Sequence, residues 1–484
     1  MLQQHELEKK LYEHFGYENF REGQQEIIQS VISGKHTLAT LPTGSGKSIC
    51  YQLPALITPG LTIVISPLIS LMIDQVKWLK MHHIKSVEAI NSFISPKEKE
   101  EILMNLYQLD ILYCSPEMLQ QEKVMNRLKS IHINYLVIDE AHCISQWGHE
   151  FRTDYLRLKD SIKILDNPTV LALSATATPD IQLDIQDQLN VDLEMLINPM
   201  DRENISMLVE VVDSDSVKKR ILLDTLQSFK VPTMIYFSSR SQAEKVSHLL
   251  NEKLPDREIS YYHGGMEQRD RLQIQQQFMN DQLDIICCTS AFGMGINKDN
   301  IRLIIHYHMP STVESFIQEV GRAGRDHLHS VSLLLYRPGD ENISYRLLES
   351  ELPTHQEIKK AVDGYIGGDK DFSSLTETQA RFLEYQLTHR TDGKQLMIEK
   401  IINSRDKRIM VKYKSVQQML NWVFSENCRR EELYSIFQSH IKPTSFPCCE
   451  HCGFQLEEWT PEQTLYENRS IDWKEQLKVI FRQR

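Results

Sequence analysis

Between residues 36 and 180, short apolar β-branched runs alternate with amphipathic stretches; the runs include residues 61–66 (LTIVIS), 135–139 (YLVID) and 170–174 (VLALS). Strand-length runs separated by helical patterns predict a parallel sheet with helices on both faces. A second set runs through residues 233–237 (TMIYF), 283–288 (LDIICC), 303–306 (LIIH) and 331–336 (VSLLLY). It predicts a second α/β unit beginning near residue 205, with the polar run 213–219 (DSDSVKK) close to the joint. After Arg337-Pro338-Gly339-Asp340, a turn-forming break, strand signals fade and the pattern becomes helical. Near the end, Trp473, Leu477, Ile480 and Phe481 fall at helical spacing. No internal repeat or low-complexity tract is visible.

At about 150 residues per domain, 484 residues predict three units, each able to bury a core. The composition, 41% hydrophobic and 25% charged, excludes global disorder and a fibrous chain. No run approaches the ~18 apolar residues of a membrane span, and the N-terminal MLQQHELEKK has no apolar signal core. A cytoplasmic protein without membrane partners is predicted, nucleoid-associated if the source is bacterial. The net charge of -12 excludes a polycation that coats nucleic acid. It leaves room for a local groove, because residues 381–430 hold 11 Lys/Arg against 5 Asp/Glu. Of nine cysteines, Cys50, Cys114, Cys143, Cys287 and Cys288 are scattered, whereas Cys428, Cys448, Cys449 and Cys452 fall close together. In a reducing compartment such a cluster reads as metal ligands before disulfides, with a redox pair as the alternative.

Candidate chemistry begins at Thr43-Gly44-Ser45-Gly46-Lys47-Ser48, after the apolar HTLATL and before a helical stretch. In a phosphate loop, glycines let backbone N–H groups crowd the phosphates, the lysine reaches the β/γ-phosphates, and the Ser hydroxyl ligates Mg²⁺. The strict pattern has Gly where Leu41 stands, so a plain Gly-Ser turn is the alternative on this motif alone. Asp139-Glu140-Ala141-His142 follows an apolar strand; one carboxylate there can hold Mg²⁺ and its neighbour can polarise the attacking water. Upstream, in FGYENFREGQ, Gln24 can bond an adenine edge and Tyr17 can stack on its face, although Tyr17 and Phe20 suit a core equally. In QEVGRAGR, Arg322 and Arg325 are three apart, predicting one helical face aimed at a γ-phosphate from a second domain.

Taken in order, these segments resemble the superfamily 2 helicases and, within them, the RecQ family of DNA helicases, over about residues 5–452. FGYENFREGQ is similar to the family's motif 0, TLPTGSGKS to motif I, VISPLISLMIDQ to motif Ia, and VIDEAHCISQWGHEFRTDY to motif II with its aromatic-rich loop. LALSATAT, MIYFSSRSQAE, CCTSAFGMGINKDNIRLIIHY and STVESFIQEVGRAGRD resemble motifs III to VI. The resemblance implies an α/β protein: two tandem RecA-like parallel-sheet domains (1–204 and 205–340), a small helical zinc-binding subdomain (341–455) and a short tail (456–484). It places Tyr17, Arg21, Gln24, Thr43, Gly44, Ser45, Gly46, Lys47 and Ser48 on ATP, and Ser48 with Asp139 on Mg²⁺. Glu140 becomes the catalytic base; Gln318, Arg322 and Arg325 become γ-phosphate sensors, with Arg325 the finger. Ser174 and Thr176 couple hydrolysis to movement. Gln146, Trp147, His149, Phe151 and Arg152 contact single-stranded DNA, Trp147 and Phe151 by stacking, with core packing the alternative for Trp147. His263 and residues 289–297 lie along the DNA track.

Cys428, Cys448, Cys449 and Cys452 resemble the RecQ zinc-binding subdomain, departing from it in the adjacent Cys448 and Cys449. That departure leaves the fourth ligand open, with His451 or His440 as substitutes. A structural Zn²⁺ there would fasten the basic segment to the core, where it faces DNA phosphates or forms a solvated surface. Only 32 residues follow Cys452, so the accessory winged helix of longer relatives is not expected, and unwinding of long duplex is expected to be modest. The predicted activity is a Mg²⁺-dependent, DNA-stimulated ATPase that unwinds 3′→5′ in repair or recombination. It acts as a monomer on single-stranded, forked and tailed DNA, with single-strand-binding and other repair proteins as candidate partners. An RNA-acting enzyme of the same superfamily and a non-enzymatic scaffold are the rivals.

Overall fold

The structure, a computed structural model, describes residues 4–145, 153–292, 298–368, 371–388, 393–438 and 441–462. Seven strands form the first sheet: β1 (Thr37–Thr40), β2 (Leu61–Ile65), β3 (Val87–Ile90), β4 (Ile111–Cys114), β5 (Ile133–Ile138), β6 (Thr169–Ser174) and β7 (Glu194–Ile197). Six form the second: β8 (Ile205–Val211), β9 (Thr233–Tyr236), β10 (Ile259–Tyr262), β11 (Ile285–Cys288), β12 (Leu303–His306) and β13 (Ser330–Tyr336). The orders are β3-β4-β2-β5-β6-β1-β7 and β10-β11-β9-β12-β13-β8, with every pair parallel. Pairing β8 with β1, β9 with β2 and so on shows that the second sheet repeats the first six strands of the first. The duplication is topological, which is why no sequence repeat is visible.

Both sheets are covered on both faces, so their central strands are continuously buried. Along β5, Leu136 and Ile138 enter one core while Tyr135 and Val137 enter the opposite one. In the second sheet, Met234 and Tyr236 face one core and Ile235 the other. The strands absent from the sequence expectation are mostly short edge pieces such as β3 and β7, whose half-covered Glu88 and Glu194 weaken the apolar signal. The chain crosses between the sheets over residues 198–204. The polar run at 213–219 instead lies inside the second unit, where the Ser214 hydroxyl caps the helix Asp215–Ser228 by accepting from Val217 N–H.

Beyond β13 the chain is helical: Glu341–Glu351, His355–Ile366, Glu377–Thr388, Lys394–Val423 and Arg429–Tyr434. The 30-residue helix Lys394–Val423 is about 45 Å long and joins two cores. Its first half packs Met397, Ile398 and Ile401 against Ile358, Val362 and Phe382. Its second half sends Val416, Met419 and Trp422 into the second sheet's core, where Trp422 lies 4.7 Å from Phe316. No helix among the described residues is long and apolar enough to cross a membrane. The amphipathic stretch at 473–481 lies outside the described residues.

Candidate active site

In the first sheet β5, β6 and β1 are neighbours, and the residues that follow their C-terminal ends meet at one edge. Ligands of parallel α/β sheets bind at such edges. The turn after β1 carries Lys47, β5 is followed by Asp139 and Glu140, and β6 ends at Ser174. Leu41 is fully buried, and Gly44 and Gly46 supply the left-handed backbone at φ 84° and 78°. Ser48 is the N-cap residue of the helix Ile49–Ile57.

Lys47 Nζ lies 3.7 Å from a Glu140 carboxylate oxygen. Withdrawal from water, and then the neighbouring Glu140 charge, push the Asp139 carboxyl up to about 6 while Lys47 pulls it back. For Glu140 the same withdrawal is outweighed by Lys47, His142 and Arg322, which hold its carboxyl below the usual range. Glu140 also sits at φ 51°, a left-handed conformation that costs a non-glycine residue and fixes the direction of its carboxylate. Two carboxylates and a serine hydroxyl at one edge form an oxygen donor set suited to Mg²⁺.

The second sheet closes the site. Thr312 caps the helix Val313–Val320, whose end carries Gln318. Gly321 is its C-cap and Gly324 turns left-handed at φ 52°, so Arg322 and Arg325 lie on the turns that follow rather than on one helical face. The expected helical placement is therefore corrected: two glycines within four residues end the helix before either arginine. Both arginines still line a cavity of about 440 Å³ together with Lys47, Ser48, Asp139, Glu140 and Tyr17. A Cβ on Gly44 would stand 2.9 Å from Arg325 Cγ, so only glycine lets the arginine lie against the loop. Burial and the charges of Arg322 and Arg202 pull the Arg325 guanidinium down to about 9, leaving it protonated at neutral pH. Arg322 hydrogen-bonds Tyr236 and is felt at Glu140.

A polar relay joins the two sheets. Buried His142 places Nδ1 3.1 Å from Ser174 Oγ, which also accepts from Thr176 N–H. Gln318 donates to Thr176 Oγ1 at 3.3 Å and lies 3.5 Å from His142 Nε2. His142 had been quoted only within its string and given no task; its position between the Glu140 carboxylate and Ser174 needed the fold to be seen.

Upstream, Gln24 is buried behind the loop, donating to the Ser45 and Gly46 carbonyls and accepting from Arg21 N–H. Arg21 donates to the Gly44 carbonyl at 2.6 Å. Tyr17 is exposed and faces the cavity, whereas Phe20 packs on the core. Gln146, Trp147, His149, Phe151 and Arg152, and also residues 293–297, lie outside the described residues. His263 is buried and pairs with Glu244 at 2.7 Å.

The four late cysteines come together, all their Sγ atoms lying within 4.8 Å of one another. Three separations are 3.4, 3.6 and 4.0 Å. Four thiolates about 2.3 Å from a tetrahedral Zn²⁺ would stand about 3.8 Å apart, so the cluster fits that ion. Arg429 N–H donates to Cys449 Sγ, and the Cys448 carbonyl accepts from Met207 N–H, stitching the cluster to β8. His451 is not in this group, and His440 lies outside the described residues.

Residues 21–183 match the family model of the DEAD/DEAH box helicases, and residues 217–327 match the helicase conserved C-terminal domain. The class defined by fold and site is thus a helicase motor. The probable ATP-dependent DNA helicase RecS of Bacillus subtilis (strain 168) is 38% identical over 489 residues, covering 98% of this chain and 98% of that protein. The ATP-dependent DNA helicase RecQ of the same organism is 40% identical over 362 residues, covering 74% of this chain and 60% of RecQ. The chain belongs to the RecQ/RecS family of ATP-dependent DNA helicases. Among solved structures, the helicase MrfA bound to DNA superposes with a TM-score of 0.58 at 19% identity, covering 68% of this chain and 50% of that one. The DEAD-box helicase Mss116 bound to single-stranded RNA gives 0.58 at 17% identity, covering 86% and 90%. At these identities the likeness is one of fold, shared by DNA- and RNA-bound enzymes.

Proposed function

We propose that this chain is a Mg²⁺-dependent ATPase, stimulated by single-stranded DNA, that translocates along one strand and unwinds duplex 3′→5′ in DNA repair or recombination. The observation that carries this reading is the convergence of Lys47 and Glu140 from one sheet, and Arg322 and Arg325 from the other, on a single cavity. Arg202, Arg322 and Arg325 crowd one another there, and a triphosphate supplies the negative charge that relieves them. Lys47 holds the phosphates, Glu140 takes the proton of the attacking water, and Gln318, Arg322 and Arg325 bind the charge that develops on the γ-phosphoryl group, with Arg325 the finger. Because the arginines belong to the second sheet, hydrolysis depends on closure of the two halves and so can drive movement. Ser48 and Asp139 hold Mg²⁺, which neutralises β- and γ-phosphate oxygens when bound. Thr43, Gly44, Ser45 and Gly46 wrap the phosphates; Tyr17, Arg21 and Gln24 receive the adenine after the amide of Gln24 exchanges its loop partners.

Ser174 and Thr176 pass the state of the phosphate site to the other half. Gln146, Trp147, His149, Phe151, Arg152 and His263 meet the strand. Cys428, Cys448, Cys449 and Cys452 hold a structural Zn²⁺. The motor divides as 1–204 and 205–340, followed by the zinc-binding unit 341–455 and the tail 456–484. A monomer working on forked or tailed DNA in the cytoplasm or nucleoid, beside single-strand-binding protein, completes the reading. Comparing ATPase stimulation by single-stranded DNA and by RNA of equal length tests it: stimulation by DNA supports it, and stimulation by RNA alone overturns it.

A further inference from the structure

The segment that crosses between the sheets is more than a tether. Asp201 is buried, and its carboxylate accepts from the Arg430 guanidinium, from Lys442 N–H at 2.9 Å and from Gln438 Nε2 at 2.8 Å. Arg430 lies two residues beyond Cys428, so this carboxylate is anchored to the four-cysteine unit. The next residue points the other way. Arg202 Nη1 donates to Thr43 O at 3.0 Å and Gly321 O at 3.3 Å; its Nη2 donates to Ala323 O at 3.3 Å and Gly324 O at 2.5 Å. Buried Asn204 adds bonds to Gly324 O at 2.8 Å and Leu328 O at 2.9 Å.

One planar guanidinium therefore spans the phosphate loop of the first sheet and the arginine turn of the second. A fixed fork of donors suits this task, since each nitrogen meets carbonyls on both sides of the fork. The Gly324 carbonyl it holds immediately precedes Arg325, the side chain that lies against Gly44.

We propose that Arg202 is a positioning residue of the ATPase, clasping the phosphate loop to the arginine turn so that Arg325 is set at the γ-phosphate, with Asp201 bracing the clasp on the zinc-binding unit. The inference rests on the ATPase reading above. Arg202 touches backbone carbonyls and not the nucleotide, so its loss misplaces Arg325 without removing a phosphate ligand. Misplacement of a reacting group by about 1 Å can cost about 10²-fold in rate.

The test uses the full chain. Wild type, Arg202→Met and Arg202→Lys are compared for DNA-stimulated kcat, ATP KM, single-stranded DNA affinity by anisotropy, and melting temperature. The expected result is that Arg202→Met lowers kcat about 10- to 100-fold. Its KM and DNA affinity stay within about threefold and its melting temperature is nearly unchanged, while Arg202→Lys recovers part of kcat. An unchanged kcat, or a raised KM with kcat intact, overturns the inference. So does a loss of kcat accompanied by equal losses in DNA affinity and melting temperature, which marks a purely structural role. If Arg202→Met does not fold, Arg202→Lys decides by the same criteria, since it keeps the charge and loses the fork. A wild-type chain without DNA-stimulated ATPase refutes the underlying reading; an active wild type beside a fully active Arg202→Met refutes only this inference.

Discussion

Gln318, on the helix that leads into the arginine turn of the second sheet, donates to Thr176 Oγ1 at the edge of the first, at 3.3 Å. Thr176 in turn leans on Ser174, and Ser174 on His142 beside Glu140. The route from carboxylate to opposite half is thus four side chains long and crosses the cleft once. Thr176→Val keeps the volume and removes the acceptor. Strand displacement is expected to fall about tenfold, from the 0.5–2 kcal/mol that such linking contacts carry, while ATPase stays within about threefold. Parallel loss of both activities would show that the bond supports hydrolysis and not its coupling.

Lys47 and Arg325 act on the same phosphates from opposite sheets, but at different stages. Lys47→Ala abolishes DNA-stimulated ATPase and weakens nucleotide binding. Arg325→Ala lowers kcat by about 10³-fold or more and leaves binding of a fluorescent nucleotide analogue largely intact, because a finger works on charge that develops in the transition state. Wild-type turnover in either variant would remove that residue from the site.

The cysteine cluster predicts about one zinc per chain by elemental analysis. Cys449→Ser is expected to lose the metal and lower the melting temperature, as is treatment with a strong chelator. A stoichiometric metal content that survives Cys449→Ser would point to another donor set.

A pH effect follows from His308. Burial first, and then the Lys218 charge, push its imidazole down to about 3 from an ordinary 6.5, and Nδ1 accepts from Ser238 N–H at 3.3 Å. Lys218, Asp215 and Arg337 are the charged groups around it. The unfolded chain binds this proton below 6.5 and the folded chain does not, so folding stability is complete above 6.5 and is lost as pH falls toward 3. The slope is about 1.4 kcal/mol per pH unit once His308 is protonated in the unfolded state. Denaturant unfolding of wild type and His308→Gln between neutral pH and pH 5 checks this: the variant should lose less stability on acidification. Equal slopes would contradict it.

Much of the architecture was legible because parallel strands buried on both faces appear as uninterrupted apolar runs, as at residues 135–138 and 303–306. Edge strands with polar positions, such as β3 and β7, gave no such run. The loop and the DEAH string were legible because phosphate and metal chemistry demand particular residue types in a fixed order. The arginine turn was placed on a helix because spacing of three satisfies helix and turn alike, and Gly321 and Gly324 decided the matter. His142 and Arg202 stayed silent for another reason: their significance lies in partners far along the chain, Gln318 for the first and Gly321 to Gly324 for the second. The doubt over the fourth zinc ligand came from adjacent Cys448 and Cys449, which the local backbone nevertheless turns toward one cluster.

The central claim is that ATP turnover between the two sheets drives directional separation of DNA strands. It is tested most directly by strand displacement on short duplexes bearing either a 3′ or a 5′ single-stranded tail, with ATP and Mg²⁺, using Lys47→Ala as control. The account predicts ATP-dependent displacement of the 3′-tailed duplex, little of the 5′-tailed one, and none by the variant. Displacement without ATP, equal displacement by Lys47→Ala, or preference for the 5′ tail would contradict it.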